Sequence, residues 1–478
     1  MNRVYKCFQV NKKYYVYDRE ENTIFEVSRC DYDLLATIRN DESFEQNIDK
    51  LDKYIKQGFF KRTKLFEIEH PLTDSIEELI DNRAEQLILQ VTQNCNLRCS
   101  YCFYGQGNYD NRTHSSKRMS FETAKKGIDY ILNHSSNLEN VYISFYGGEP
   151  LLEIDLIKKC IEYAEEKVEG KKITYSMTTN GTLFNREVVE LFDKYDFQIV
   201  ISLDGTKEMH DLNRKFVNGK GSFDMIMDNI KDIKNWYPEF ANRIMFNTVI
   251  APKSDFSCVK NFLEHDEVIG NSFVSANTVN DLYTSNDYSN YDEKFYIANS
   301  YGEFKLLLAV LGRLDKKFAS KIFQERFNHT IKTYQGLVDK GGMPRRAHPG
   351  GPCIPGVHRI FVNVNEDIYP CERVSESSKP MNIGNLEKGI DIEKAVKLIN
   401  IGKLTENECK SCWAFHYCDM CAAFADDIDE ISKSKRLSKC KDSRNSVLED
   451  FKDICMLKNF KFDFNGDVFD EKINDISF

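Results

Sequence analysis

The sequence predicts an α/β protein built on a parallel sheet, open or closed into a partial barrel, with a small unit in front and a cysteine-rich region behind. Three observations predict it. Short apolar runs alternate with helix-length stretches between residues 86 and 250. The cysteine run Cys95-Asn96-Leu97-Arg98-Cys99-Ser100-Tyr101-Cys102 follows the first of those runs. A second crowd of cysteines lies beyond residue 350.

Residues 1–75 read as a separate unit. Lys13–Asp18 and Thr23–Val27 look like two strands around an Asp/Glu/Asn turn. A helix is expected from Ser28 or Asp31, with Leu34, Leu35 and Ile38 on one face. A second helix, Gln46 to Gln57, would present Ile48, Leu51, Tyr54 and Ile55 and end at Gly58, with Phe59-Phe60 opening another short strand. Strands plus a small helical set describe a winged-helix-like module, able to bind nucleic acid or peptide or simply to pack on its neighbour.

An acidic helical connector follows Ser75. Gln86–Val91, Val141–Phe145, Lys172–Met177, Phe197–Leu203 and Arg243–Ile250 are the expected buried strands, with helices near 121–134, 152–168, 185–195 and 222–236 between them. Residues 76–300 would form this core and 301–345 a bridge, helical mainly through a stretch near 298–334. Residues 346–445 would form the cysteine-rich domain and 446–478 a tail. In such sheets reactive groups gather at the C-terminal strand ends, which is where the first cysteine run begins.

Composition narrows the function. At 478 residues the chain should bury large cores. Its 65 basic and 75 acidic residues give −10, so no global nucleic-acid footprint is expected. No apolar run is long enough to span a membrane, and the N-terminus has no apolar signal core, so a cytoplasmic location is expected. Fifteen cysteines without a signal peptide then argue for metal sites over disulfides.

Cys95, Cys99 and Cys102 form C-x₃-C-x₂-C. Three thiolates can hold three irons of a [4Fe–4S] cluster and leave the fourth open for chemistry. The alternatives are a zinc knuckle or core cysteines, but zinc sites usually close with a fourth Cys or His at short spacing, and none follows. Tyr146-Gly147-Gly148-Glu149-Pro150 ends the second strand. Its glycines allow close backbone approach, and Glu149 and nearby carbonyls can accept from an ammonium group. Further on, Cys409-x₂-Cys412 and Cys418-x₂-Cys421 sit between the outliers Cys353, Cys371 and Cys440. By spacing alone that pattern suits zinc as well as iron–sulfur. Cys7, Cys30, Cys160, Cys258 and Cys455 have no ligand spacing and are expected as small buried hydrophobes, with Cys455 near enough to serve as an alternate ligand.

C-x₃-C-x₂-C followed by Gly-Gly-Glu-Pro resembles the radical S-adenosylmethionine (AdoMet) enzymes. The resemblance implies a partial (β/α)6 TIM-like barrel. It implies that Cys95, Cys99 and Cys102 ligate a cluster whose open iron is chelated by AdoMet, and that electron transfer yields a 5′-deoxyadenosyl radical. The aromatic pair Tyr101 and Phe103 fits the pattern. Gly147, Gly148 and Glu149 would hold the methionine amine, with Asn180 and Ser202 near the methionine and ribose. Arg214 would pair with the AdoMet carboxylate, and Asn247 would lie near ribose and adenine. Asp204 could accept a proton, but its spacing does not single it out as a base.

The later cysteines resemble the SPASM extension of these enzymes, which binds two auxiliary [4Fe–4S] clusters. Transferred by position, Cys409, Cys412, Cys418 and Cys440 would hold the distal one, and Cys353, Cys371 and Cys421 the proximal one. Three clusters and AdoMet are thus the expected cofactors. Seven cysteines leave the proximal cluster one ligand short. A substrate thiolate, His348, His358, Glu366, Asp367 or water could fill the place.

With this extension behind the core, residues 1–75 resemble the peptide-recognition domain of enzymes that modify ribosomal peptides, where an edge strand pairs with a leader. The strands within 13–27 would pair, and the helix from 31 to 40 would line the groove. The segment from Gly351-Pro352-Cys353 to Cys371-Glu372-Arg373 looks most like maturases that form sulfur-to-carbon thioethers (sactionine- or ranthipeptide-type). The implied partners are a precursor peptide with a leader and a reducing donor such as flavodoxin or ferredoxin. Carbon–carbon cross-linking, sulfatase-type Ser/Cys oxidation and a non-enzymatic iron–sulfur regulator are the alternatives. The Gly-Gly-Glu-Pro segment argues against the last.

Overall fold

The computed structural model describes residues 3–466, except 39, 106, 271, 289 and 352. Pro352, in the segment likened to thioether maturases, and residues 467–478 of the expected tail therefore lie outside the described residues.

The front unit is an antiparallel sheet of β1 (Tyr5–Val10), β2 (Lys13–Asp18) and β3 (Thr23–Val27), followed by short helices. β1 was not expected, because Cys7-Phe8 breaks its alternation. Pairing with β2, Cys7 to Val16 and Phe8 to Tyr15, shows why both residues are apolar. The two faces of β2 serve different cores. Val16 packs with Leu35, Phe44, Leu51 and Phe60 inside the unit. Tyr15 and Tyr17 join the main core, where Tyr17 lies 4.6 Å from Phe451 of the helix Cys440–Asn459.

Ser28 caps the helix Arg29–Thr37, its side chain accepting from Asp31 N. The second expected helix is broken. Asn40 and Ser43 cap each other and start Asp41–Glu45 early, and a 3₁₀ turn, Ile48–Leu51, precedes Asp52–Lys56. Phe59-Phe60 opens no strand. Phe60 sits at φ +57° and gives its N–H to Asp18 Oδ2 at 2.6 Å.

Six parallel strands then form in chain order: β4 (Gln86–Thr92), β5 (Asn140–Gly147), β6 (Lys172–Thr179), β7 (Gln198–Ser202), β8 (Met245–Ile250) and β9 (Val274–Thr278). Helices Phe121–Asn133, Ile154–Lys167, Arg186–Lys194, Phe223–Trp236 and Phe256–His265 lie between them. This is the expected partial (β/α)6 barrel. β4 is buried from Leu87 to Thr92, as a strand covered on both faces must be. The helical stretch near 298–334 resolves into two helices, Glu293–Val310 and Gln324–Asp339.

The cysteine-rich region continues the barrel sheet. β10 (Ile360–Val362) pairs parallel to β4, with Ile360, Phe361 and Val362 opposite Leu87, Ile88 and Leu89. β11 (Asp367–Tyr369), β12 (Gly384–Asn385) and β13 (Gly389–Ile390) extend it antiparallel, making ten strands. Among the described residues, no helix is long and apolar enough to cross a membrane.

Candidate functional site

The site starts from an irregularity in β4. Its register against β5 shifts between Gln90 and Thr92, and such a bulge re-aims the chain that follows. That chain is the cysteine loop. It is laced to the end of β5 by Gly148 N to Thr92 O at 3.0 Å and Glu149 N to Asn94 O at 2.9 Å. A Cβ on Gly147, at φ +151°, would lie 2.2 Å from Thr92 O, and one on Gly148 would lie 2.1 Å from Asn94 O. Both glycines are thus required by the approach of two backbones.

Glu149 is buried and triply bonded. It accepts from Leu151 N at 3.0 Å, Thr179 Oγ1 at 2.7 Å and Asn180 N at 2.7 Å. Burial pushes its pKa up to about 7 against those bonds. Asn180 reaches back to the cysteine loop, giving Nδ2–H to Asn96 Oδ1 at 2.8 Å.

Burial pushes the Cys95 and Cys99 thiols up to about 12 and also raises Cys102. Each of the three lies within charge range of another. Arg214 opposes the rise at Cys99. Arg214, expected to meet an AdoMet carboxylate, gives Nε–H to Asp204 Oδ2 at 2.9 Å, and Tyr101 OH donates to the same oxygen. Asp204 Oδ1 accepts from Val249 N at 3.0 Å. Asp204 is thus a buried counter-ion tying β7 to β8. Phe103 packs on Tyr104, Tyr109 and Tyr283. Ser202, the last residue of β7, is in register with Asn247 inside β8. Gly147, Gly148, Glu149, Asn180 and Ser202 thus lie at or just past the C-terminal strand ends, Arg214 and Tyr101 meet them through Asp204, and Asn247 lies within β8.

The later cysteines form two groups. Cys409, Cys412, Cys418 and Cys440 line one cavity of about 190 Å³, together with Phe415 and Met420. Buried Arg19 of the front unit donates to Lys410 O at 2.6 Å and Cys412 O at 3.3 Å, bracing that loop. Cys421 lies within charge range of Cys353, and Cys371 within range of Cys421. Cys353 is exposed. The Tyr146 phenol is within charge range of Cys102 and Arg112 and also of Glu372 and Arg373, which follow Cys371.

Several of the alternative fourth ligands are otherwise engaged. His348 Nε2 accepts from Gly402 N at 2.7 Å, and His358 Nδ1 accepts from Ile354 N at 2.8 Å. Glu366 is held by Lys126 and Thr123. Asp367 Oδ2 accepts from Asn363 Nδ2 at 3.4 Å. Two unassigned cysteines also depart from expectation. Cys30 and Cys258 are exposed, each on the outer side of a helix, whereas Cys160 and Cys455 are buried and Cys7 half-buried.

Sequence reasoning missed Arg112, His114, Glu376 and Arg436. Glu376 Oε1 accepts from Arg112 Nε at 2.6 Å and Gln90 Nε2 at 2.5 Å, linking the cysteine loop to the segment after Cys371. None of the four has a fixed spacing to a motif, so only the folded chain reveals them.

An α/β partial barrel with a cysteine loop at its strand ends, seated on a Gly-Gly-Glu turn, defines an iron–sulfur radical enzyme class. The chain belongs to the radical SAM superfamily, whose family model matches residues 89–264. It is 31% identical over 305 residues to an uncharacterized protein of Methanocaldococcus jannaschii, covering 64% of this chain and 90% of that one. It is 36% identical over 156 residues to a cysteine-type anaerobic sulfatase-maturating enzyme of Clostridium novyi, covering 32% of this chain and 41% of that one. The native anSMEcpe structure with bound AdoMet shares the fold, with a TM-score of 0.58 and 21% identity over 78% of this chain and 99% of that one. The superfamily binds AdoMet and a [4Fe–4S] cluster. The donor set here fits, because three half-buried cysteines of one loop feel one another's charge beside a backbone cradle that tolerates no side chain.

Proposed function

We propose that this protein is a peptide maturase that joins a cysteine sulfur to a carbon of the same ribosomally made precursor. When bound, AdoMet and the cluster held by Cys95, Cys99 and Cys102 supply hydrogen-atom abstraction chemistry. The chain's own residues supply position, because a reactive radical takes the hydrogen placed nearest it.

The observation that carries this reading is the second three-cysteine group. Cys421 lies within charge range of both Cys353 and Cys371, Cys353 is exposed, and Tyr146 feels both Cys102 and the residues Glu372 and Arg373 that follow Cys371. A proximal auxiliary cluster on these three would keep a place for a substrate thiolate, while Cys409, Cys412, Cys418 and Cys440 would hold a distal cluster. β3 pairs with β2 alone, so its outer edge has no strand partner among the described residues and would receive the leader as an added strand.

Anaerobic incubation with AdoMet, a reductant and the cysteine-containing peptide encoded beside the gene tests the reading. The expected product has lost two hydrogens, and its cysteine resists alkylation. An unmodified peptide alongside cleaved AdoMet would overturn the thioether assignment. Iron near 12 per chain is expected for three cubane clusters. A second reading, oxidation of a Ser or Cys in a sulfatase-like protein, is supported by the likeness to sulfatase-maturating enzymes. A sulfatase-derived peptide in the same assay separates the two.

A further inference from the structure

We propose that His114 is a positioning residue for the radical-generating cluster: its Nε2–H donates to the Cys102 sulfur and raises the reduction potential of the cluster bound there. This rests on Cys102 being a cluster ligand. The ring nitrogen lies 3.6 Å from Cys102 Sγ.

The backbone delivers His114 to that place. After leaving the cysteine loop, the chain returns along the exit of β4. Met119 N bonds Val91 O at 2.9 Å, Gln93 N bonds Lys117 O at 2.9 Å, and Ser115 N bonds Gln93 O at 3.3 Å. His114 N then bonds Tyr104 O at 3.2 Å, two residues past Cys102. The imidazole is thus fixed by the same ladder that positions the cysteine loop.

The sulfur selects the ring proton that faces it. A cluster-bound cysteine sulfur has only lone pairs to offer, and it lies 3.6 Å from His114 Nε2. An unprotonated Nε2 would set lone pair against lone pair, whereas a proton on Nε2 points an N–H at Cys102.

The other two sulfurs have their own neighbours. Cys95 Sγ accepts from Leu97 N at 3.4 Å and Asn180 Nδ2 at 3.9 Å, and Cys99 interacts with Arg214. A donor aimed at a ligating sulfur stabilises the added electron of the reduced cluster more than the oxidised state. His114 supplies it through a side chain that can be exchanged without touching the ligand loop.

The test uses the full reconstituted protein. The midpoint potential of the EPR signal that changes on AdoMet addition is measured for wild type, His114→Phe and His114→Gln. Phenylalanine keeps a ring and removes the donor, and glutamine restores an N–H. His114→Phe should be about tenfold less reduced at a fixed potential, which is about 59 mV more negative for one electron. His114→Gln should lie closer to wild type, with iron content unchanged in both. A wild-type potential in a fully loaded His114→Phe overturns the proposal, as does an equal shift in both variants, which would mark a packing role. Where His114→Phe fails to load, electron–nuclear double resonance on wild type decides. A deuterium-exchangeable proton coupled to ¹⁵N-histidine supports the bond, and its absence overturns it. A wild-type protein lacking any AdoMet-responsive signal instead sinks the assignment of Cys102 as a ligand, so the two failures are distinct.

Discussion

The two cysteine regions are assembled in opposite ways. Cys95, Cys99 and Cys102 come from one loop, set by bonds to the adjoining strand ends. The later seven come from segments spread between residues 353 and 440 and are gathered by tertiary contacts. Arg19 braces the Cys409–Cys412 loop from the front unit. Fully buried Arg436 donates to Met420 O, Cys421 O and Pro349 O, each at 3.3 Å. A locally built site is vulnerable mainly to changes in its own loop and cradle. A gathered site is vulnerable to changes far away.

The sharpest way to break that comparison is within the triplet. Cys99→Ala should abolish AdoMet cleavage and remove about four irons per chain while leaving auxiliary iron in place. Iron analysis with deoxyadenosine quantitation checks this, and persisting cleavage would refute the ligand assignment. Next in size is Gly148→Ala, whose methyl would lie 2.1 Å from Asn94 O. Displacing the cysteine loop by an ångström should cut cleavage about 100-fold. A rate within a few-fold of wild type would show that the cradle is not the constraint.

The gathered region is probed by Arg436→Leu, which leaves three buried carbonyls without their donor. A loss of about 3 kcal/mol in urea unfolding is expected, with auxiliary iron falling before triplet iron. Parallel loss of both would blur the contrast.

The smallest effect concerns the anchor of the helix that carries Cys440. Asp450, buried on that helix, bonds His329 at 3.0 Å and pairs with Arg326. The bond to Asp450 raises the His329 pKa above 6.5 despite burial. Burial works to raise the Asp450 pKa, but His329 and Arg326 together hold it below 3.8. The His329 contribution is therefore complete below pH 6.5 and fades as pH rises through the folded value. That of Asp450 is present above pH 3.8 and is lost as pH falls through its folded value. His329 is half exposed, so its share should be under about 1 kcal/mol. The Tm gap between wild type and His329→Asn should narrow from pH 6 to pH 8.5. A constant gap would rule the ion pair out as an anchor.

The same contrast explains what could be read in the sequence. β4 to β8 were legible because short strand-like runs rich in apolar, β-branched and aromatic residues recur between helix-length stretches. β9 is not such a run, since Ser275, Asn277 and Thr278 are only partly buried or exposed. β1 needed its partner to explain Cys7 and Phe8. The triplet was legible because its ligands share one loop with fixed spacing. The Asp204–Arg214 pair, Arg436 and His114 were not, because each acts across a gap in sequence that only the fold closes.

β10 lies directly beside β4 in one ladder. The cysteine loop leaves the end of β4, and Cys371 follows two residues after β11, the next strand over. Neighbouring strands stand about 4.8 Å apart. The chain has thus built a gauge out of backbone hydrogen bonds, with no hinge between its jaws. Under the proposed function, a peptide gripped at one cysteine group and attacked near the other would meet a gap set by the sheet, so the span of the new bond would be cut to the enzyme's measure and not to the peptide's own.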